Sequence, residues 1–310
     1  MDSINFVEPM RAEKAALIAL LQQPGVRWAD VMAEVLELGS PAQVLDRYFA
    51  GDDALFVIGD QDQALRAAEQ DILGWEADGI GVHAFYEPGY PAQLRDIHES
   101  PPIIFTRGRL RHDRRAVAVV GTRQASPRGL GIAQAVAKAL AKNDVTVVSG
   151  LAAGIDTAAH TAALEARGRT VAVIGTGVRR VYPAANAELQ RRIGRDGLVL
   201  SQFWPDGAPS KKTFPMRNAV MSGYAAATVV VEAPWQSGAR IQARLALQHG
   251  RPVVMPRELL EHDWARDYAE RPGVYVVEST DELLAVAEKL VAEAVAGPDR
   301  LRELSTVVQF

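Results

Sequence analysis

Four segments of this 310-residue chain carry residues suited to holding an anion. The first is Gly121-Thr122-Arg123, followed by Gln124-Ala125-Ser126 and, after Pro127-Arg128, by Gly129. A glycine lets backbone pass close to a ligand, the Thr122 and Ser126 hydroxyls donate or cap, and the Arg123 guanidinium is a planar fork that fits a phosphate. The second, SGLAAGIDTAAH, places Gly150 and Gly154 around small residues at a helix start, the composition of an anion nest. The third, Gly175-Thr176-Gly177, leads through Arg179 and Arg180 to Tyr182-Pro183 and Asn186. The fourth, SQFWPDGAPSKKTFPMRN, holds Lys211, Lys212, Phe214, Arg217 and Asn218. Cations interleaved with an aromatic ring suit single-stranded nucleic acid. The cations follow the backbone, and a base stacks on the ring for roughly 1–3 kcal/mol.

Each segment also has a plainer reading. Tight βα turns need glycine with no ligand present, which applies to Gly175 and Gly177 in particular. Lysines such as Lys211 and Lys212 are commonly solvated surface. Asp156 and His160 lie four apart, the spacing of an intrahelical bond or cap, and no third ligand accompanies them to make a metal site. Glu232 closes an apolar run, where a carboxylate holds a neighbouring loop in place. The run RGRLRHDRR at 107–115 holds five arginines and reads as a solvated charged turn.

These segments follow short valine-rich runs: AVAVVG, VTVVSG, TVAVIG, LVLS, TVVVEA, PVVMP and VYVVES. Helix-like stretches alternate with them, among them GLGIAQAVAKALAKN, GIDTAAHTAALEARG, GARIQARLALQHG and the amphipathic TDELLAVAEKLVAEAVA. Strands buried on both faces and alternating with helices specify an α/β fold, a Rossmann-like, doubly wound, mostly parallel sheet. Ligands of such sheets bind outside the carboxyl ends of the strands, which is where the candidate segments fall. Residues 1–78 are helical in periodicity, with Gly or Pro separating the segments. Pro24-Gly25-Val26 hints at a helix–hairpin–helix turn, against a plain helical packing module as the competing reading. Residues 79–115 read as a connector that lays a strand or two on the sheet, 116–296 as the Rossmann-like domain, and 297–310 as a tail.

Composition removes other chemistries. The absence of cysteine excludes disulfides, thiolate metal sites and cysteine nucleophiles, and the six histidines form no H-E-x-x-H arrangement, so no metal or cofactor is expected. No run reaches the length of a membrane helix and the N-terminus has no secretory core, so a cytoplasmic location is expected. A net charge of −4 requires that any anionic partner be held by a local basic patch. There is no G-x-x-x-x-G-K-[ST] and no G-x-S-x-G, and GTRQASPRG is only a loose version of the dinucleotide fingerprint.

Taken in order, YPAQLRDIHESPPIIFTRG, AVAVVGTRQASPRG, VVSGLAAGIDTAAH, YPAANAEL, FPMRNAVMSG and VVVEAPWQSGARIQARLAL resemble the DNA-processing protein A family (DprA/Smf) over about residues 88–256. The helical N-terminal part is similar to the sterile-alpha-motif-like domain that often precedes the family core. The resemblance implies an extended Rossmann domain that binds single-stranded DNA, forms a homodimer and hands the DNA to RecA recombinase, displacing or bypassing single-strand-binding protein in natural transformation. It implies binding, without catalysis. Carried over by position, Arg123 is the arginine of the GTR motif, Lys211 precedes the FP-x-RN phenylalanine by three, and Phe214 is the stacking residue. Gly150 and Gly154 supply backbone N–H groups, and Arg217 and Asn218 belong to the same pocket.

The chain departs from the family pattern at Gln202, where many members have glutamate, and along RELLEHDWARDYAERPG after VVMP. The family's variable winged-helix domain has no counterpart in these residues. Two alternatives remain: a phosphoribohydrolase-like enzyme or a nucleotide sensor on a related scaffold. The first is recognised by P-G-G-x-G-T-x-x-E, and the matching place reads PWQSGARIQAR, without the glycine pair or the glutamate.

Overall fold

The computed structural model describes residues 4–50 and 60–307. Contacts divide the chain into two units. One takes the residues up to Tyr90 with Pro101–Ile104, and the other takes Pro91–Ser100 with everything from Phe105 on. The stretch 79–115, expected as a separate connector, thus contributes to both.

The first unit is built on α1 (Ile4–Leu21), α2 (Trp28–Leu38), α3 (Pro41–Ala50) and α4 (Gln61–Ala77), followed by β1 (Gly81–Ala84). Every side chain from Ala15 to Leu21 is buried, and α1 packs against both α3 and α4. A helix enclosed in this way takes its stability from packing rather than propensity. Asp60 caps α4 by accepting the Gln63 N–H at 2.7 Å, and Gly39 ends α2 in the left-handed region at φ 77°, its N–H donated to Val35 O. Lys14 pairs with Glu87 at 2.8 Å.

The second unit, from Phe105 of β2 (Ile103–Gly108) onward, builds its sheet from that strand with β3 (Ala116–Val120), β4 (Thr146–Ser149), β5 (Thr170–Val173), β6 (Leu198–Ser201), β7 (Ala227–Val230), β8 (Val253–Pro256) and β9 (Val274–Val277). Their order is β2-β6-β5-β4-β3-β7-β8-β9. All neighbours are parallel except β2 and β6, which run antiparallel with Phe105 opposite Ser201. From β3 the chain winds outward through β4, β5 and β6, then returns to the other side of β3 for β7, β8 and β9. The strand order therefore reverses between β3 and β7, whose register sets Val119 opposite Val229.

The connecting helices are α5 (Ala92–Arg95), α6 (Pro127–Lys142), α7 (Ile155–Glu165), α8 (Ala187–Asp196), α9 (Thr213–Tyr224), α10 (Gly238–Gln248), α11 (Asp263–Ala269) and α12 (Thr280–Val307). Buried residues of α6, α7 and α12 share one apolar cluster with Val117, Val119, Val147 and Val229. The helices α9 and α10 lie outside that cluster and pack on one another and against β3, β4, β5, β7 and β8, which covers the sheet on both faces. α12 runs through the boundary expected at residue 297. Arginine-rich 107–115 is more than a solvated turn. Asp113 is buried, accepts Nε and Nη2 of Arg169 at 2.6 and 2.7 Å, the Thr146 hydroxyl at 3.0 Å and the Tyr224 hydroxyl at 2.6 Å, and so ties the amino ends of two strands to α9.

Candidate nucleic-acid interface

A cleft of about 790 Å³ opens at the carboxyl ends of the strands where the order reverses. Its walls come from the β3–α6 turn (Gly121 to Gln124), from Ala152 and Asp156 after β4, from Phe214, Arg217 and Asn218 of α9, and from the loop Pro234–Gly238 after β7. A smaller cavity of about 70 Å³ adjoins it, bounded by Arg123, Gly150, Gly175, Tyr182, Phe214 and Arg217.

Arg217 organises the floor. It is 6% exposed, and its Nη1 donates to Val173 O at 3.1 Å. The guanidinium fills the space a Gly150 side chain would take, since a Cβ there would lie 1.3 Å from Nη1. Glycine at 150 is thus needed for a cation to approach the β4 end. Burial holds Arg217 below the ordinary arginine range, the nearby Asp156 carboxylate opposes that shift, and Arg123 adds to it. Asp156 is pushed up by burial, against the pull of Arg217 and the bonds it accepts from the Ala152 and Gly150 N–H groups. Asp156 therefore fastens the loop that precedes its helix and does not bond His160, the partner its spacing suggested. His160 is buried and neutral, held down to about 3 by burial and then by Arg217. Its Nδ1 lies 2.7 Å from the Thr170 hydroxyl, which itself donates to Val147 O, so the ring nitrogen is the donor of that pair.

Phe214 forms the aromatic wall. Its ring meets Tyr182 at 5.5 Å between centroids, and the Arg123 guanidinium carbon lies 5.4 Å from its centroid. Gly175 makes this seat possible, because a Cβ at that position would stand 2.9 Å from the ring. Gly177, by contrast, packs against the Trp204 and Pro205 carbonyls and serves the turn alone.

Several sequence candidates serve the scaffold. Glu232 accepts from both the N–H and the hydroxyl of Ser126, and that hydroxyl also accepts the Gly129 N–H to cap α6. Ser126 is thereby committed to the loop. Thr122 lines the cleft, with its N–H on Glu232 O and its hydroxyl accepting from Gln124 N–H. Gly154, at φ 76°, starts α7 against Thr122 O, where a Cβ would come within 2.4 Å. Asn186 donates to Leu151 O and Thr157 Oγ1. Asn218 lines the cleft beside Gly238. Lys211 is exposed two residues ahead of α9 and stands outside the cleft-lining set. Gln202 is buried with its Nε2 unpartnered.

Reading the strand ends from sequence missed Trp235. This residue lines the cleft, is 59% exposed and carries Arg240 at 4.2 Å from its ring centroid. The signal was an aromatic residue in the turn after TVVVEA. The divergent segment after β8 is ordered as a 3-10 turn and α11, with Trp264 buried and its indole N–H on Ala233 O at 3.0 Å. Among the described residues no group of three or more His, Cys, Asp or Glu is placed to hold a metal ion, and no helix is long and apolar enough to cross a membrane.

A doubly wound sheet with a cleft at its switch point, lined by arginines and an aromatic wall, defines the class: an open α/β protein with its candidate site at the strand ends. The family model for DNA recombination-mediator protein A matches residues 81–286, and the chain belongs to that family. DNA processing protein DprA of Streptococcus pneumoniae is 37% identical over 232 residues, covering 74% of this chain and 76% of that one. The X-ray structure of the Streptococcus pneumoniae protein superposes with a TM-score of 0.66 at 32% identity, over 89% of this chain and 95% of the other. A Helicobacter pylori DNA processing protein A, described for its single-stranded DNA binding mode, shares the fold at a TM-score of 0.61 and 23% identity, over 68% and 96% of the chains. Several longer relatives are covered over 43% of their own length.

Proposed function

We propose that the cleft binds single-stranded DNA without strong sequence preference, and that the protein acts as a recombination mediator rather than an enzyme. The observation that carries this reading is the convergence of Arg123, Phe214 and Arg217 on one strand-end cleft from loops far apart in sequence. A ring backed by a guanidinium offers a face to any base, while Arg123 and the exposed Lys211 offer charge to the backbone. Asp156 is occupied in holding its loop, which favours binding over acid–base chemistry. The single-stranded DNA binding described for the Helicobacter pylori relative supports the same reading. Homodimer formation, and delivery of DNA to RecA in place of single-strand-binding protein, complete the role in natural transformation and competence that the family resemblance implies.

Fluorescence anisotropy of a labelled dT oligomer at two salt concentrations tests the site. Lys211→Ala should weaken binding and flatten the salt dependence by about 0.7 in slope for one lost phosphate contact. Phe214→Ala should weaken binding at both salts with the slope kept. Unchanged affinity and slope in both variants would refute the placement of DNA in this cleft.

A further inference from the structure

We infer that Trp235, held by Arg240, is a second base-stacking platform on the same cleft, so that the strand is gripped through two bases rather than through Phe214 alone. The inference rests on the single-stranded DNA reading and adds a residue that reading does not use.

Three observations support it. Trp235 is 59% exposed, whereas Trp75 and Trp264 are buried at 7% and 2%. An indole combines an apolar face with a polar N–H, so a ring open on the rim of a cleft is accessible to a ligand that enters it. Second, the ring does not move freely. Arg240 lies over it at 4.2 Å, from the first turn of α10, and the loop springs from Ala233, whose carbonyl is fixed by the Trp264 indole at 3.0 Å. The platform is therefore set before any ligand arrives, which lowers the ordering cost of binding.

Third, the arrangement repeats that of the other wall. Phe214 of α9 carries Arg123 of the β3–α6 turn at 5.4 Å, and Trp235 of the loop after β7 carries Arg240 of α10 at 4.2 Å, with both rings lining one cleft. A guanidinium over one part of a ring polarises it and places a cation beside the edge of any base stacked there, where a phosphate follows. Between the two walls the lining is polar, with Gln124, Asn218 and Ser237 able to hydrogen-bond to base edges in any order. That matches binding with little sequence preference.

The indole itself reports the outcome. The full chain is titrated with a dT oligomer while tryptophan emission and, separately, anisotropy of a labelled oligomer are recorded. Stacking should quench emission, and Trp235→Phe should abolish most of that quench while keeping near-normal affinity. Trp235→Ala should weaken binding roughly 5- to 150-fold, the span expected for one stacked base. An exposed ring is not needed for folding, so an unchanged circular dichroism spectrum accompanies both variants. If Phe214→Ala weakens binding while Trp235→Ala does not and no quench is seen, the second platform is refuted and the DNA cleft stands. If the wild type binds no oligomer at low salt, both readings fall together. If Trp235→Ala leaves per-protomer affinity intact but converts a dimer to a monomer in sedimentation, the ring belongs to a contact with a second copy and the inference is overturned.

Discussion

Replacing Arg217 with methionine removes a cation from a buried place where a carboxylate depends on it. The guanidinium donates to Val173 O at 3.1 Å, and Asp156, 5% exposed, keeps two N–H donors from its own loop when that cation is gone. A lost hydrogen bond from a charged donor costs about 1.5–3 kcal/mol. Asp156 loses a nearby opposing charge but keeps its two N–H donors, which holds the total to about 3 kcal/mol. Urea unfolding at pH 7 should therefore show a loss of about 3 kcal/mol at unchanged m-value. Asp156→Asn, which keeps an acceptor for those N–H groups, should make the double variant better than the sum of the singles by about 1–3 kcal/mol. The pH dependence has a definite sign. A carboxyl raised in the folded state stabilises below its unfolded pKa and loses that stability as pH rises through the folded value. Without Arg217 the folded value climbs further, so the deficit of Arg217→Met should shrink as pH falls from 7 toward 5. A loss under about 1 kcal/mol, with additive singles and no such pH trend, would refute the coupling.

His160 titrates in the opposite sense. Its folded value of about 3 lies below the ordinary 6.5, so its contribution is complete above pH 6.5 and is lost as pH falls toward 3. Between pH 7 and pH 5 that loss is about 2 kcal/mol in urea unfolding, and His160→Gln should remove that part of the slope; an unaltered profile would count against a buried neutral ring. Asp113→Ala would leave the Arg169 guanidinium and the Tyr224 and Thr146 hydroxyls without their shared acceptor. Destabilisation of about 3–5 kcal/mol is expected by the same assay, and a value under about 1 kcal/mol would show the network to be dispensable.

How far the sequence reaches is seen at particular residues. Strands such as AVAVV and TVVS were legible because parallel strands covered on both faces need apolar side chains in nearly every position. Which strands are neighbours was not, because the reversal between β3 and β7 is set by how helices cover the two faces and leaves no mark in any one strand. Asp113 looked like part of a solvated basic run because its partners Arg169 and Tyr224 lie 56 and 111 residues away. The arginines around it in sequence are not the ones it binds, and only folding supplies the acceptor with its donors.

The glycines show why a motif read as a ligand cradle and the same motif read as a turn are not rival accounts. Gly150 follows a strand, which either account requires. What decides its part in the site is a guanidinium from α9 resting where its Cβ would be. Gly175 does the same for the Phe214 ring. In both places the missing side chain is filled by a group from the segment that the sequence reading had singled out separately for its charge and its aromatic ring. Loops after β4 and β5 thus supply vacant volume, α9 supplies the cation and ring that occupy it, and neither half makes the cleft alone. It follows that a small addition at Gly150 or Gly175 acts on the cleft through Arg217 or Phe214, displacing the group that lines it even though the altered residue lies behind that group.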